Sequence, residues 1–241
     1  MNTRISRHGA NERHAITDDV FDFLYNQIVS TRLEPGHKIS EAEIAAKFKI
    51  SRQPVRDAFF RLSQLGFLRI QPQRASEVSL ISTKVIERAC FLRTSIEVEV
   101  IILASNELSV RNIMRLSEHL EEQQNAIDAS DADKFNALDD NFHQAICDMI
   151  ERPYAWEAIR DLKVHMDRVR FLSHAFALQT AIEDHKDIVN ALRVRDTRRA
   201  IRTVRRHLGR THGIIGRLKS ECHDWFTDDN TESPFGGFIK P

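Results

Sequence analysis

Ser40-Glu41-Ala42-Glu43-Ile44-Ala45 and, a few residues on, Ser51-Arg52-Gln53-Pro54-Val55-Arg56-Asp57-Ala58-Phe59 decide how the first third of the chain folds. In the first run the Ser40 hydroxyl can accept from the Glu43 amide while the Glu43 carboxylate reaches back. That capping box starts a short helix carrying Ile44, Ala45 and Phe48. In the second run Ser51 opens a helix whose inner face is Val55, Phe59, Leu62 and Leu65, spaced three or four apart. Pro54 falls in its first turn, where a missing amide hydrogen costs little. Gly66 closes it as a C′ glycine.

Working outward, Thr17-Asp18-Asp19 caps an earlier helix with Val20, Phe23, Leu24 and Ile28 at helical spacing, ended by Pro35-Gly36. On the other side Phe67 to Ile70 and Glu77 to Leu80 read as two short strands flanking Gln71-Pro72-Gln73-Arg74. The order is helix, helix, turn, helix, hairpin, which is a winged helix-turn-helix.

Composition agrees with a helical protein. The chain has 241 residues with 41% hydrophobic, enough for one large or two ordinary domains with real cores. Only 8 Gly and 6 Pro make an all-β fold implausible, since such a fold needs a turn about every ten residues. Cys90, Cys147 and Cys222 are odd in number and scattered, so they suggest neither a disulfide framework nor a thiolate zinc site. The N-terminus has no apolar core and the longest apolar run is Val100 to Ala104, so no membrane partner is expected and a cytoplasmic location is.

Thirty-five Lys+Arg balance 35 Asp+Glu, yet the balance is uneven along the chain. Lys47, Lys49, Arg52, Arg56, Arg61, Arg69 and Arg74 face a single acid, Asp57, between residues 47 and 74. Arg52 and Arg56 lie one turn apart on the outer face of the second helix, with Gln53 beside them. A helix entering the major groove by its N-terminus needs such forks and amides for base edges and cations for phosphates. Arg74 would sit at the wing tip. A solvated basic face is the bland alternative, and the preceding capped helix and tight turn argue against it. Acids such as Glu121, Glu122, Asp128, Asp131 and Asp133 supply the offset further along.

From about Ser82 to Ser220 helical periodicity is nearly continuous, with breaks near Ser105 to Ser109, Ala129 to Asp131, Arg152-Pro153, Thr180 and Asp196. Thr180-Ala181-Ile182-Glu183 reads as a further capping box. Six helices with short connections imply an antiparallel all-α bundle. The domain reading is a flexible tail over 1–15, the winged helix-turn-helix over 16–81, the bundle over 82–222 and a disordered tail over 223–241.

Three histidines occupy inward positions of the bundle: His143 among Phe135, Phe142 and Ile146, His185 among Ile182, Ile188 and Val189, and His207 beside Val204. Asp139 lies one turn before His143 on the same face. Together they could supply three nitrogens and one oxygen to a divalent transition metal; the alternative is a hydrogen-bonded polar core. His8, His14 and His37 fall in tail or loop, and the remaining histidines have no comparable set of neighbours. The arginines between Arg193 and Arg206 read as a solvated outer face, or else as a phosphate or dimer contact.

The quoted helix-turn-helix run, with Leu33-Glu34-Pro35-Gly36 before it and Leu62 to Leu68 after it, resembles the winged domain of the GntR family of bacterial transcription regulators. The resemblance implies binding to a double-stranded DNA operator by a homodimer, through residues matching Arg52 and Arg56 with a wing contribution from Arg74. The candidate DNA-binding residues are Ser51, Arg52, Gln53, Pro54, Arg56, Arg61 and Arg74. Ala42 replaces an arginine common in the family, Lys49 replaces a turn glycine at a position wanting positive φ, and Ala75 replaces a wing glycine.

The second half resembles the FCD effector domain of the FadR subfamily, on Phe91-Leu92-Arg93-Thr94-Ser95-Ile96-Glu97, Leu138-Asp139-Asp140-Asn141-Phe142-His143, Glu183-Asp184-His185-Lys186-Asp187-Ile188 and Arg206-His207-Leu208. It implies a metal, zinc or nickel, on Asp139, His143, His185 and His207, facing a pocket for a small carboxylate effector that Arg93 lines. On the residues alone a salt bridge from Arg93 to Glu97 is equally consistent. The helix near Arg160 to Arg170 is expected to contribute to the pocket. The function implied is an effector-controlled transcription regulator, a repressor in most members. A metal enzyme acting on a small carboxylate and a regulator with a purely structural metal are the alternatives. No pair of helical Glu-x-x-His motifs of the di-iron type occurs, nor does His-Glu-x-x-His.

Overall fold

The computed structural model describes residues 6–71, 74–172 and 176–227, side chains excepted over 6–13 and 176–177. It is mainly α, as expected, and divides into two compact units: residues up to Lys84 together with those from Cys222 onward, and Val85–Glu221.

In the first unit, α1 (Ser6–Val29), α2 (Glu41–Phe48) and α3 (Arg52–Gln64) surround a small antiparallel sheet of β1 (Lys38–Ile39), β2 (Leu68–Arg69) and β3 (Ser76–Val78) in the order β1-β3-β2. The expected hairpin is β2 against β3, with Leu68 opposite Val78 and Arg69 opposite Glu77. Strand β1 was not legible because its two residues carry no alternation. The core is Val20, Leu24 and Ile28 of α1 packed with Val55, Phe59 and Leu62 of α3. The Tyr25 and Phe67 rings meet edge to face at 5.5 Å. The Ser40 capping box is formed in both directions, at 3.2 and 3.1 Å.

Both expected tails need correction. α1 begins at Ser6 rather than Thr17, so most of the 1–15 segment is helical. Nothing between Ser6 and Asp18 forbids a helix, and His14 Nδ1 meets Asp18 Oδ2 at 2.9 Å across one turn. At the other end, residues 223–227 form a 3-10 turn (His223–Trp225) and β5 (Phe226–Thr227), which pairs parallel with β4 (Ile81–Ser82). Phe226 is buried, and that apolar contact holds the segment. The rest of the expected C-terminal tail lies outside the described residues.

The second unit is a six-helix bundle: α4 (Thr83–Glu107), α5 (Val110–Asp128), α6 (Ala132–Met149), α7 (Pro153–Leu172), α8 (Phe176–Arg193) and α9 (Thr197–Glu221). Leu116, Phe142, Ile146, Ile159, Ile188 and Val204 meet in its core. The capping box expected at Thr180 is not an N-terminus, because α8 runs through it from Phe176. Leu178 packs on Phe135 and Ile182, which favours helix over this stretch. A capping box of the bundle forms at the start of α5, between Ser109 and Asn112.

The arginine run at the start of α9 is largely tied into this unit. Arg195 donates to the Ser105, Asn106 and Leu108 carbonyls, Arg199 bonds Asp187, and Arg206 bonds Asp184. Arg198, Arg202 and Arg205 face outward.

Helix ends show how a glycine-poor chain turns. Around Lys49, Ser130, Glu151 and Arg195, paired amides reach back to the last-turn carbonyls, as in Ile50 N to Ala45 O and Lys49 N to Ala46 O. Each of these residues has φ of 56 or 57°. The same motif at Gly66, φ 76°, is built on glycine. A side chain in this left-handed region costs roughly 1–2 kcal/mol, against about 0.5–1 kcal/mol for the freedom glycine loses on folding. Lys49→Gly should therefore stabilise the chain by up to about 1 kcal/mol, read as a raised urea midpoint. Gly66→Ala should lower the midpoint by a similar amount.

Candidate DNA interface and metal centre

On the first unit, the start of α3 is presented to solvent. Ser51 stands at its N-cap in extended conformation with its hydroxyl unused by the helix, and Arg52, Gln53 and Arg56 are exposed. Val55, Ala58 and Phe59 hold the opposite face in the core, so the outward aim of Arg52 and Arg56 follows from the helical period. Arg52 has no ion-pair partner among the described residues. Gln53 Nε2 donates to Asp57 Oδ1 at 2.9 Å, and Arg56 leans on Glu41 Oε2 at 3.3 Å, which steers the guanidinium across the turn between α2 and α3.

Two expected contacts are repositioned. Pro54 is buried, so it shapes the first turn instead of presenting a surface. Arg61 turns back to α1, with Nη1 on Asp18 Oδ1 at 2.6 Å and the guanidinium 4.1 Å over the Phe21 ring. Lys47 similarly covers Phe23, and Arg69 pairs across the wing with Glu77 at 2.9 Å. Arg74 is exposed beside the wing turn, whose Pro72 and Gln73 lie outside the described residues.

In the second unit, Asp139 and His143 on α6, His185 on α8 and His207 on α9 do converge. One ligand atom from each lies within 4.8 Å of the others. His185 Nε2 is 3.3 Å from His207 Nε2 and 3.4 Å from Asp139 Oδ1. The i, i+4 spacing of Asp139 and His143 puts both on the inner face of α6, and Phe142 stacks on the His185 ring at 4.4 Å.

Two of the three imidazoles are steered from the far side by hydrogen bonds. His143 Nδ1 meets Glu97 Oε2 at 2.7 Å and His185 Nδ1 meets Gln123 Oε1 at 2.8 Å, while His207 Nδ1 lies 3.7 Å from Asp184 Oδ2, beyond hydrogen-bond reach. An acceptor at Nδ1 holds the proton there and leaves the Nε2 lone pair for a cation. His143 Nε2 is buried with no hydrogen-bond partner among the described residues. Burial pushes His185 well below the ordinary imidazole value, and burial also lowers His207 although Asp184 opposes it. Neutral rings of this kind are what a metal requires. The donor set of three nitrogens and a carboxylate fits zinc, nickel or a similar ion.

Among these steering groups, sequence reasoning had noted only Glu97, as a partner for Arg93. Gln123 had a signal: it follows Ile113, Leu116 and Leu120 and precedes Ala126 in the apolar register of α5. Arg170 falls at the end of the stretch expected to contribute to the pocket, but its bond to Asp139, like the placement of Asp184, depends on packing between helices.

Arg93 resolves into both of its readings. Its Nε donates to Glu97 at 2.5 Å, while Nη2 is buried with no partner among the described residues. Burial would raise the Glu97 carboxyl, but Arg93 and His143 beside it hold it far below the usual carboxylate range. Arg93 also lines a cavity of about 90 Å³ whose wall includes Asp139 and His207. Arg170 on α7 enters the same wall, bonding Asp139 Oδ2 at 2.8 Å and Asp140 Oδ1 at 3.0 Å.

Comparison with known proteins matches residues 16–78 to the gntR family of bacterial regulatory proteins and residues 89–210 to the FCD domain. The HTH-type transcriptional repressor RspR of Escherichia coli K12 is 33% identical over 221 residues, 91% of this chain and 97% of its own length. Among solved structures, E. coli McbR/YncC superposes with a TM-score of 0.69 at 23% identity, over 84% of this chain and 98% of that one. A GntR regulator from Rhodococcus sp. RHA1 gives 0.67 at 20% identity, over 83% and 97%. The chain belongs to the gntR family of bacterial regulatory proteins, as a DNA-binding transcription regulator whose helix-turn-helix domain is followed by an FCD domain.

Proposed function

We propose that this regulator is a repressor that binds a palindromic operator as a homodimer and is controlled by a small carboxylate bound next to a divalent metal. The observation that carries the reading is the shared wall: two of the four converging ligands, Asp139 and His207, line the cavity that Arg93 also lines. Asp139, His143, His185 and His207 would hold the ion, which when bound supplies a Lewis-acidic site for a carboxylate oxygen. The chain's own part is to hold the Nδ1 sides of His143 and His185 with Glu97 and Gln123, so that Nε2 faces the ion, and to offer the Arg93 Nη2 donors to the carboxylate. The name of RspR supports repression, and two matched recognition helices are what a palindrome requires. A coupling of about 1–3 kcal/mol between effector and operator would alter DNA affinity roughly 5- to 150-fold.

The DNA-contact set narrows to Ser51, Arg52, Gln53, Arg56 and Arg74, with Pro54 and Arg61 as supports. Since a bidentate base contact is worth about 1–3 kcal/mol, Arg52→Ala combined with Arg56→Ala should weaken operator binding on the order of a hundredfold or more. Arg61→Ala should leave affinity within a few-fold while lowering stability. Fluorescence anisotropy with labelled operator, beside urea melts, separates the two effects.

Chelation should lower the unfolding midpoint and added zinc or nickel should restore it, by about 2.7 kcal/mol at a metal concentration a hundred times Kd. His185→Ala should abolish that response and leave sub-stoichiometric metal by elemental analysis.

In chelated protein, His185 and His207 take up protons less readily when folded than when unfolded. Stability should be fully present above the unfolded value near 6.5 and fall as pH drops below it. Denaturant melts between pH 8 and about 5 check the sign; a rise in stability toward acid would contradict it.

A further inference from the structure

Resting on the carboxylate-effector reading above, we propose that the cavity selects a short aliphatic monocarboxylate, in preference to a sugar acid or a dicarboxylate. Its wall is strongly divided. Phe135, Met166, Leu178, Ala181, Leu208 and Ile214 form an apolar part contributed by α6, α7, α8 and α9. The polar part holds the charged Arg93, Asp139, Arg170 and Arg210, with His207 beside them.

Among those charged groups, one donor is left for a ligand. Arg170 is bonded by Asp139, Asp140 and Asp167, and Arg210 by both oxygens of Asp184. Arg93 is held by Glu97 only through Nε, and its Nη2 is buried without a partner among the described residues. A single carboxylate satisfies that group and the open side of the Asp139 and His207 cluster. A second carboxylate would lose hydration against Leu178, Ala181 and Ile214 and find no uncommitted cation there.

Hydrogen-bonding capacity disfavours a polyhydroxylated acid. Each hydroxyl of a sugar acid would need a partner, and the uncharged polar side chains of the wall are Asn136 and Thr211. A hydrocarbon tail needs none and gains from every methylene buried.

The test is isothermal titration of the full chain, loaded with zinc, using acetate, propionate, butyrate, valerate, gluconate and succinate. Affinity should rise about fourfold per added methylene until the cavity is full. Gluconate and succinate should bind at least roughly tenfold more weakly than butyrate. A flat aliphatic series, or gluconate or succinate binding more tightly than butyrate, would overturn this selectivity and leave the carboxylate-effector reading standing. No binding of any carboxylate to zinc-loaded protein would overturn both. Ala181→Leu should move the best acid to a shorter chain and Ile214→Ala to a longer one; unchanged preference in either folded variant counts against the assigned wall. The acid series on the unaltered chain decides the matter if neither variant folds.

Discussion

Three imidazoles and a carboxylate are pressed together in the apolar centre of the six-helix bundle, and most of the second unit is arranged around satisfying them. Asp139, His143 and His185 are at most 5% exposed. A buried polar atom with no partner costs about 1–3 kcal/mol, and a buried carboxylate costs more unless paired. The fold answers with polar and charged groups from four helices. Glu97 on α4 serves His143, Gln123 on α5 serves His185, Asp184 on α8 faces His207, and Arg170 on α7 neutralises Asp139. Among the described residues of this centre, His143 Nε2, His207 Nδ1 and Arg93 Nη2 are left without a hydrogen bond. The first is the kind of atom a metal satisfies, the last the kind an anion satisfies.

The same centre links ligand chemistry to helix packing. Asp139 touches Arg170, and Arg170 with Lys163 ties Asp140 and Asp167 into one network between α6 and α7. Any change in the charge carried by Asp139 is therefore felt by the α6 and α7 contact. Such a network has the features of an element that a small ligand can bias, since removing one partner strands several others.

The helix-turn-helix was legible because its signals are local. The Ser40 capping box, the Pro54 position, the Val55, Phe59 and Leu62 spacing and Gly66 each depend on a few neighbouring residues. Lys49 at positive φ was also readable, since a tight turn after α2 needs the left-handed region whatever residue stands there. The four metal-ligand candidates were legible for a different reason: polar residues in apolar register stand out. The Arg61 contacts were not legible, because charge counting cannot see Asp18 or the Phe21 ring, both distant in sequence and close in the fold. The α8 start was misread because Thr180-Ala181-Ile182-Glu183 has the pattern of a cap, while the burial of Leu178 against Phe135 overrides it. β5 could not be foreseen, since a two-residue parallel pairing with β4 rests on segments far apart in sequence meeting in space.

X-ray absorption at the zinc edge of the purified, zinc-reconstituted chain reads out whether Asp139, His143, His185 and His207 hold one ion together. One ion per chain, with three imidazole nitrogens and a carboxylate oxygen at about 2.0–2.2 Å, is the predicted result, with the imidazole signal reduced in His143→Ala. Zinc that is absent at stoichiometry, or a spectrum indifferent to His143→Ala, would contradict it.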